Sequence, residues 1–119
     1  AVLVETTPPA CSFWSDWVDN NHPGLEGQEG EREPGLNLRP ELGDFCHEGS
    51  VTEAECAESS SGTPYAEAGQ TALHCDVNDG YSCRDQDQPT GRCIDIKIRF
   101  FCSCGTLFYT NGKLAKRSV

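Results

Sequence analysis

Two kinds of side chain in this 119-residue chain could do chemistry: hard oxygen donors and cysteine sulfurs. Asp19-Asn20-Asn21 sets Asp19 and Asn21 two residues apart, a spacing found in calcium loops. Calcium takes roughly 6–8 oxygens from carboxylates, amides and backbone carbonyls. Glu31, Glu33, Asp85 and Asp87 are candidates to complete such a shell from distant segments. A competing use of Asp and Asn here is an ordinary turn, in which their side chains hydrogen-bond the local backbone.

The sulfurs are Cys11, Cys46, Cys56, Cys75, Cys83, Cys93, Cys102 and Cys104. Their number is even, their spacing is long, and C-x-x-C is absent, which removes the strongest signal for a zinc knuckle or a thioredoxin-like site. All eight therefore read as a disulfide framework formed in an oxidising compartment. Cys102-Ser-Cys104 is too tight a spacing for those two sulfurs to close on each other, so each pairs elsewhere. Connectivity stays open, because eight cysteines allow 105 pairings.

His47 and His74 each adjoin a cysteine, and His22 precedes a proline. A Cys-His nucleophile needs a thiolate, which an oxidised cysteine cannot supply. The chain also has no G-x-S-x-G, H-E-x-x-H or phosphate-loop sequence. An enzyme is not expected. Net charge is −10. Residues 1–60 carry thirteen Asp/Glu against two Arg, whereas residues 61–119 carry six against seven Lys/Arg. Nucleic-acid binding, which needs clustered Lys and Arg, is disfavoured. An acidic half beside a near-neutral one suits cation binding or head-to-tail association. No 20-residue apolar run exists to span a membrane.

Hydrophobic residues make up 36 % of the chain, so the core is thin and disulfides must supplement it. Residues 24–44, rich in Gly and Pro, read as one long loop. Residues 51–58 read as a helical turn capped by Thr52, or in strand alternation with Val51 and Cys56 inside. Gln70–Cys75 and Tyr81–Arg84 read as strands joined through Asn78-Asp-Gly80. The clearest strand is Arg92–Cys104: Ile94, Ile96, Ile98, Phe100, Cys102 and Cys104 share one face, and Asp95, Lys97 and Arg99 the other. Thr106–Thr110 is a further β-prone run, and Asn111-Gly112 is a hairpin turn. The expected fold is small, disulfide-rich and β, or α+β with little helix: an irregular β-sandwich or sheet with long loops.

The order of segments resembles the CysD, or WxxW, domain of gel-forming mucins and of cartilage intermediate layer protein. The resemblance runs from Trp14-Ser-Asp-Trp17 and His22-Pro23 through Gly30-Glu-Arg-Glu-Pro34. It continues through His74-Cys75-Asp76-Val77, Gly80-Tyr-Ser-Cys83-Arg84 and Asp85-Gln-Asp87-Gln88, and closes on Gly91-Arg-Cys93, Asp95–Arg99 and Cys102. It divides the chain into a Thr/Pro segment (1–10), a CysD-like domain (11–104) and a C-terminal extension (105–119) with an extra strand and a basic tail at Lys116-Arg117. Two departures stand out: mucin domains carry about ten cysteines, often as doublets, and residues 105–119 have no counterpart.

The resemblance implies a secreted, extracellular, non-enzymatic module that binds calcium and self-associates in a mucus, matrix or adhesive assembly. Its expected partners are further copies of itself and other mucin or matrix proteins. Leu107, Phe108 and Tyr109, with an exposed strand edge beside them, are candidate self-contacts. By likeness to W-x-x-W substrates, Trp14 is a C-mannosylation candidate, although both tryptophans would also serve as core anchors, stacked on the sheet from a short helical turn. There is no Asn-x-Ser/Thr sequon for N-glycosylation. The alternative function is a secreted binding module or ligand for a glycan or receptor.

Overall fold

The computed structural model describes residues 4–6, 12–19, 30–47, 49–104, 106–110 and 113–117, with the backbone alone described for the first and last two of these segments. Among them, nine strands form three three-stranded antiparallel sheets, and no α-helix is present. The strands are β1 (Val4–Thr6), β2 (Phe13–Trp14), β3 (Gly30–Glu33), β4 (Ser50–Glu58), β5 (His74–Asp76), β6 (Gly80–Arg84), β7 (Ile96–Ser103), β8 (Thr106–Thr110) and β9 (Lys113–Arg117).

The alternation predicted around Ile96–Phe100 positions everything else. β7 is the central strand of the order β2-β7-β4. Its Ile96, Ile98, Phe100 and Cys102 are buried, while Lys97, Arg99 and Phe101 are only partly so. The second sheet has the order β3-β6-β5. Its Tyr81 and Cys83 meet Ile96, Ile98, Phe100, Cys56 and Cys93 in one core. Burying an Ile- or Phe-sized side chain contributes about 1.5–3 kcal/mol, so this short list must be supplemented. Disulfides Cys46–Cys102, Cys56–Cys75 and Cys83–Cys93 do so, each contributing about 2–4 kcal/mol by restricting the unfolded chain. Cys104 is also disulfide-bonded, and Cys102 and Cys104 thus both pair away from each other. Cys11 lies outside the described residues.

Several expectations change. The stretch read as one long loop contains β3 and a 3₁₀ turn over Pro40–Gly43. The helical-turn reading of residues 51–58 gives way to β4, which pairs with β7 through Cys56↔Ile98 and its neighbours. The β5–β6 hairpin forms, but its first strand begins at His74 rather than Gln70. β7 starts at Ile96 rather than Arg92. The β-prone run 106–110 is β8, central in the sheet order β1-β8-β9. Thr110 stands opposite Lys113, as a two-residue connection requires; Asn111 and Gly112 themselves lie outside the described residues.

The tryptophan pair reaches a common side by a different device from a helical turn. Trp14 pairs with Phe101 and Val18 with Ile98. Four residue steps on one strand thus oppose three on the other, which is a bulge. The Ser15 hydroxyl accepts the Phe100 N–H at 2.9 Å within it. One extra residue reverses the face of all that follows. Trp14 and Trp17, opposite on a regular strand, therefore both meet Arg99, its guanidinium 4.5 and 4.6 Å from the two ring centroids. Lys97 adds a second contact with Trp17 at 4.6 Å. Both indoles are half-buried on the outer side of β7 rather than anchored in the core.

Candidate cation site

Asp19, Glu31 and Glu33 converge, their carboxylate oxygens lying within 4.8 Å of one another. Each arrives by a separate route. Asp19 follows Val18, whose N–H and C=O both bond Ile98, at 2.7 and 2.9 Å. Glu31 and Glu33 alternate on β3, opposite Cys83 and Tyr81 of β6. In the alternation of that pair they occupy the positions that apolar residues would fill. Both are only 1 % exposed.

Glu31 is held from both oxygens. Oε2 accepts the Ile96 N–H at 2.8 Å and Oε1 accepts the Arg32 N–H at 3.0 Å. The Ser59 hydroxyl donates to Asp19 Oδ2 at 2.6 Å. Burial pushes the Glu31 carboxyl up from 4.5 to about 9, against the pull of the Ile96 N–H; a hydrogen bond with Asp95 and the charges of Glu33 and Asp95 add to the rise. Like charges this close and this buried favour taking up a proton or a cation. Tyr81 carries a fully buried hydroxyl with no hydrogen-bond partner among the described residues. Burial and the Glu31 charge both raise its pKa. Hard anionic oxygens in a desolvated recess fit calcium, whose ligands are carboxylate and carbonyl oxygens. Nothing in this donor set is soft enough to select zinc or copper.

The other candidate residues lie elsewhere. Asp85 and Asp87 sit on a 3₁₀ turn after β6. Asp85 Oδ1 accepts the Cys93 N–H at 2.8 Å, and Asp87 Oδ2 pairs with Arg84 at 2.8 Å. Asn21 lies outside the described residues. Two participants were not singled out from sequence. The alternation of the long strand sets Asp95 on its outer face, yet Asp95 stands before β7 begins and hydrogen-bonds Glu31. Ser59, in a run of serines, offered no signal beyond its hydroxyl.

Residues 14–102 match the family described as the Mucin-2 protein WxxW repeating region. The chain belongs to this mucin WxxW, or CysD, family. It is 31 % identical to human Mucin-2 over 106 residues, covering 86 % of this chain, and 39 % identical to rat Mucin-2 over 103 residues, covering 82 %. Human Mucin-5AC is 33 % identical over 99 residues, covering 80 %. The chain spans 2 % of the length of the human mucins and 6 % of the rat relative. It is thus one CysD domain, a structural and non-enzymatic unit, and homology to gel-forming mucins together with its disulfides points to secretion. The three carboxylates of the cluster all lie within the matched span.

Proposed function

We propose that this CysD domain is a secreted, extracellular structural module that self-associates to cross-link a mucus, matrix or adhesive assembly, with calcium locking its fold. The observation that carries the calcium reading is the burial of Glu31 and Glu33 beside Asp19. Two buried carboxylates beside a third, partly buried one are costly unless their charge is neutralised. In this reading Asp19, Glu31 and Glu33 hold the ion directly, Asn21 supplies a further oxygen, and Ser59 orients Asp19. Asp85 and Asp87 act at a distance, by closing the turn that leads to Cys93. The ion ties the start of β7 to β3 and to the segment after the tryptophan pair, three segments that a thin apolar core holds only weakly.

Trp14 is the C-mannosylation position in the same reading. Its ring lies on Phe101, centroids 5.1 Å apart, with Arg99 on it, and it is partly accessible. Calorimetric titration of calcium into the chelator-stripped, oxidised domain tests the main claim. Saturable binding of one ion in the range of about 0.1–1 mM usual for extracellular modules is expected. Absence of binding up to about 10 mM calcium, ten times the weak end of that range, would overturn it.

A further inference from the structure

The outer side of the β3-β6-β5 sheet carries a row at odds with the acidity of the chain. Arg32 and His74 both stand directly opposite Ser82, one on each flanking strand. Residues opposite one another in an antiparallel pair project to the same face. Arg32, Ser82 and His74 thus form one line across three strands. All three line a groove of about 610 Å³, bordered also by Arg39, Leu38 and Leu73.

Three features suit the groove to an anion next to an apolar group. Arg32 is exposed and makes no ion pair with a described residue, so its planar donor fork remains for a carboxylate. Ser82, 5 % exposed, stands between Arg32 and His74 in the groove lining. His74 Nδ1 donates to the Gly80 carbonyl at 2.9 Å, which fixes the ring as a wall and leaves the anion to Arg32 and Ser82. Leu38 and Leu73, 78 % and 52 % exposed, are two of the three large apolar side chains exposed among the described residues. Glu33 and Asp79 also border the groove; Glu33 belongs to the buried cluster, and Asp79 is met by the Asn37 amide at 3.5 Å.

We propose that this groove receives an acidic polypeptide stretch of a second copy of the chain, a carboxylate on Arg32 and Ser82 and an apolar side chain between Leu38 and Leu73. This rests on the self-association reading and names its contact surface. Charge complementarity selects the occupant: residues 1–60 carry a net −11, so a second copy brings a dense source of carboxylates. The rings in the groove lining are the fully buried Tyr81 and the hydrogen-bonded His74, and the apolar lips fit a peptide better than a sugar face.

Sedimentation velocity of the oxidised domain in calcium, at concentrations up to about 1 mM, tests the proposal. The expected result is concentration-dependent association, weakened by salt. Arg32→Glu and Leu38→Asp, both at exposed positions, should each weaken it about tenfold or more. Arg92→Glu, the same charge change outside the groove, should leave it intact. A parent chain that stays monomeric overturns both the self-association reading and the groove. Association retained in Arg32→Glu and Leu38→Asp overturns the groove alone. Equal loss in Arg32→Glu and Arg92→Glu also overturns it, by assigning the effect to overall charge. Binding of a sulfated polysaccharide that needs Arg32, with self-association unaffected by its loss, moves the groove to a glycan ligand and refutes the peptide assignment.

Discussion

Replacing Glu33 by Gln removes one charge from the Asp19–Glu31–Glu33 cluster while keeping its shape. Glu31→Gln would add a second effect, because both Glu31 oxygens accept backbone N–H groups and an amide can satisfy only one of them. Two unit charges at the 4.8 Å upper limit of the cluster's separations repel by about 3.5 kcal/mol at an effective dielectric constant of about 20. Without calcium a proton on Glu31 relieves part of this at neutral pH, so Glu33→Gln should stabilise the chelated protein by only about 1 kcal/mol. Calcium reverses the order. With a Kd of about 0.1 mM and about 10 mM calcium, the parent gains ~2.7 kcal/mol, or ~10 °C in Tm for a domain of this size. Loss of one anionic ligand should weaken binding by about ten- to a hundredfold, leaving a gain of about 0.4–1.4 kcal/mol. Thermal melts of both proteins, in chelator and in calcium, should therefore cross: the variant melts higher in chelator and lower in calcium. Equal calcium gains in the two proteins would refute the cluster as the site, and no gain in the parent would refute the ion itself.

The Glu31 carboxyl sits near 9 when folded, against an ordinary 4.5, so between those values the folded chain holds a proton that the unfolded chain has lost. Stability in chelator should therefore fall as pH rises from about 5 to about 9, and saturating calcium should flatten that slope; melts across this range check it. Arg99→Leu removes the guanidinium stacked on Trp14 and Trp17 together with its 3.0 Å ion pair to Glu55. It should cost about 2 kcal/mol in denaturant unfolding and alter tryptophan fluorescence. Gly80→Ala meets both a φ of +76° and a Cβ only 2.1 Å from the Glu33 carbonyl oxygen, so it should cost at least about 3 kcal/mol. Gly62→Ala, at φ +77° with nothing within 4 Å, should cost about 1 kcal/mol, and comparing the two melts separates crowding from backbone preference.

Why β7 was legible and β3 was not follows from what the two strands bury. In β7 the inward positions are Ile96, Ile98, Phe100 and Cys102, so water-hating and water-loving residues alternate with period two, and the sequence pattern is the physical pattern. In β3 the inward positions are Glu31 and Glu33. The period is the same, but the buried members are carboxylates, and Gly30 and Pro34 flank them as they would a loop. Gly30 is itself required by the strand: a Cβ there would stand 2.0 Å from the Cys83 carbonyl oxygen. A strand whose core face is charged makes sense only with a neutralising partner, which local propensity does not encode. Glu31 and Glu33 could be suspected as ligands from their chemistry, yet their chemistry concealed the strand that delivers them. The tryptophan pair presents the converse case. Its spacing was visible, but its common face depends on the bulge at Ser15, which is set by where Trp14 and Val18 pair on β7. Asp95 falls between the two cases. Extending the β7 alternation one residue too far put it on the outer face, whereas the chain before Ile96 is no longer strand and turns its carboxylate to Glu31. In each instance the information missing from local sequence is a non-local pairing, and the Asp19–Glu31–Glu33 cluster is the point at which three of those pairings meet.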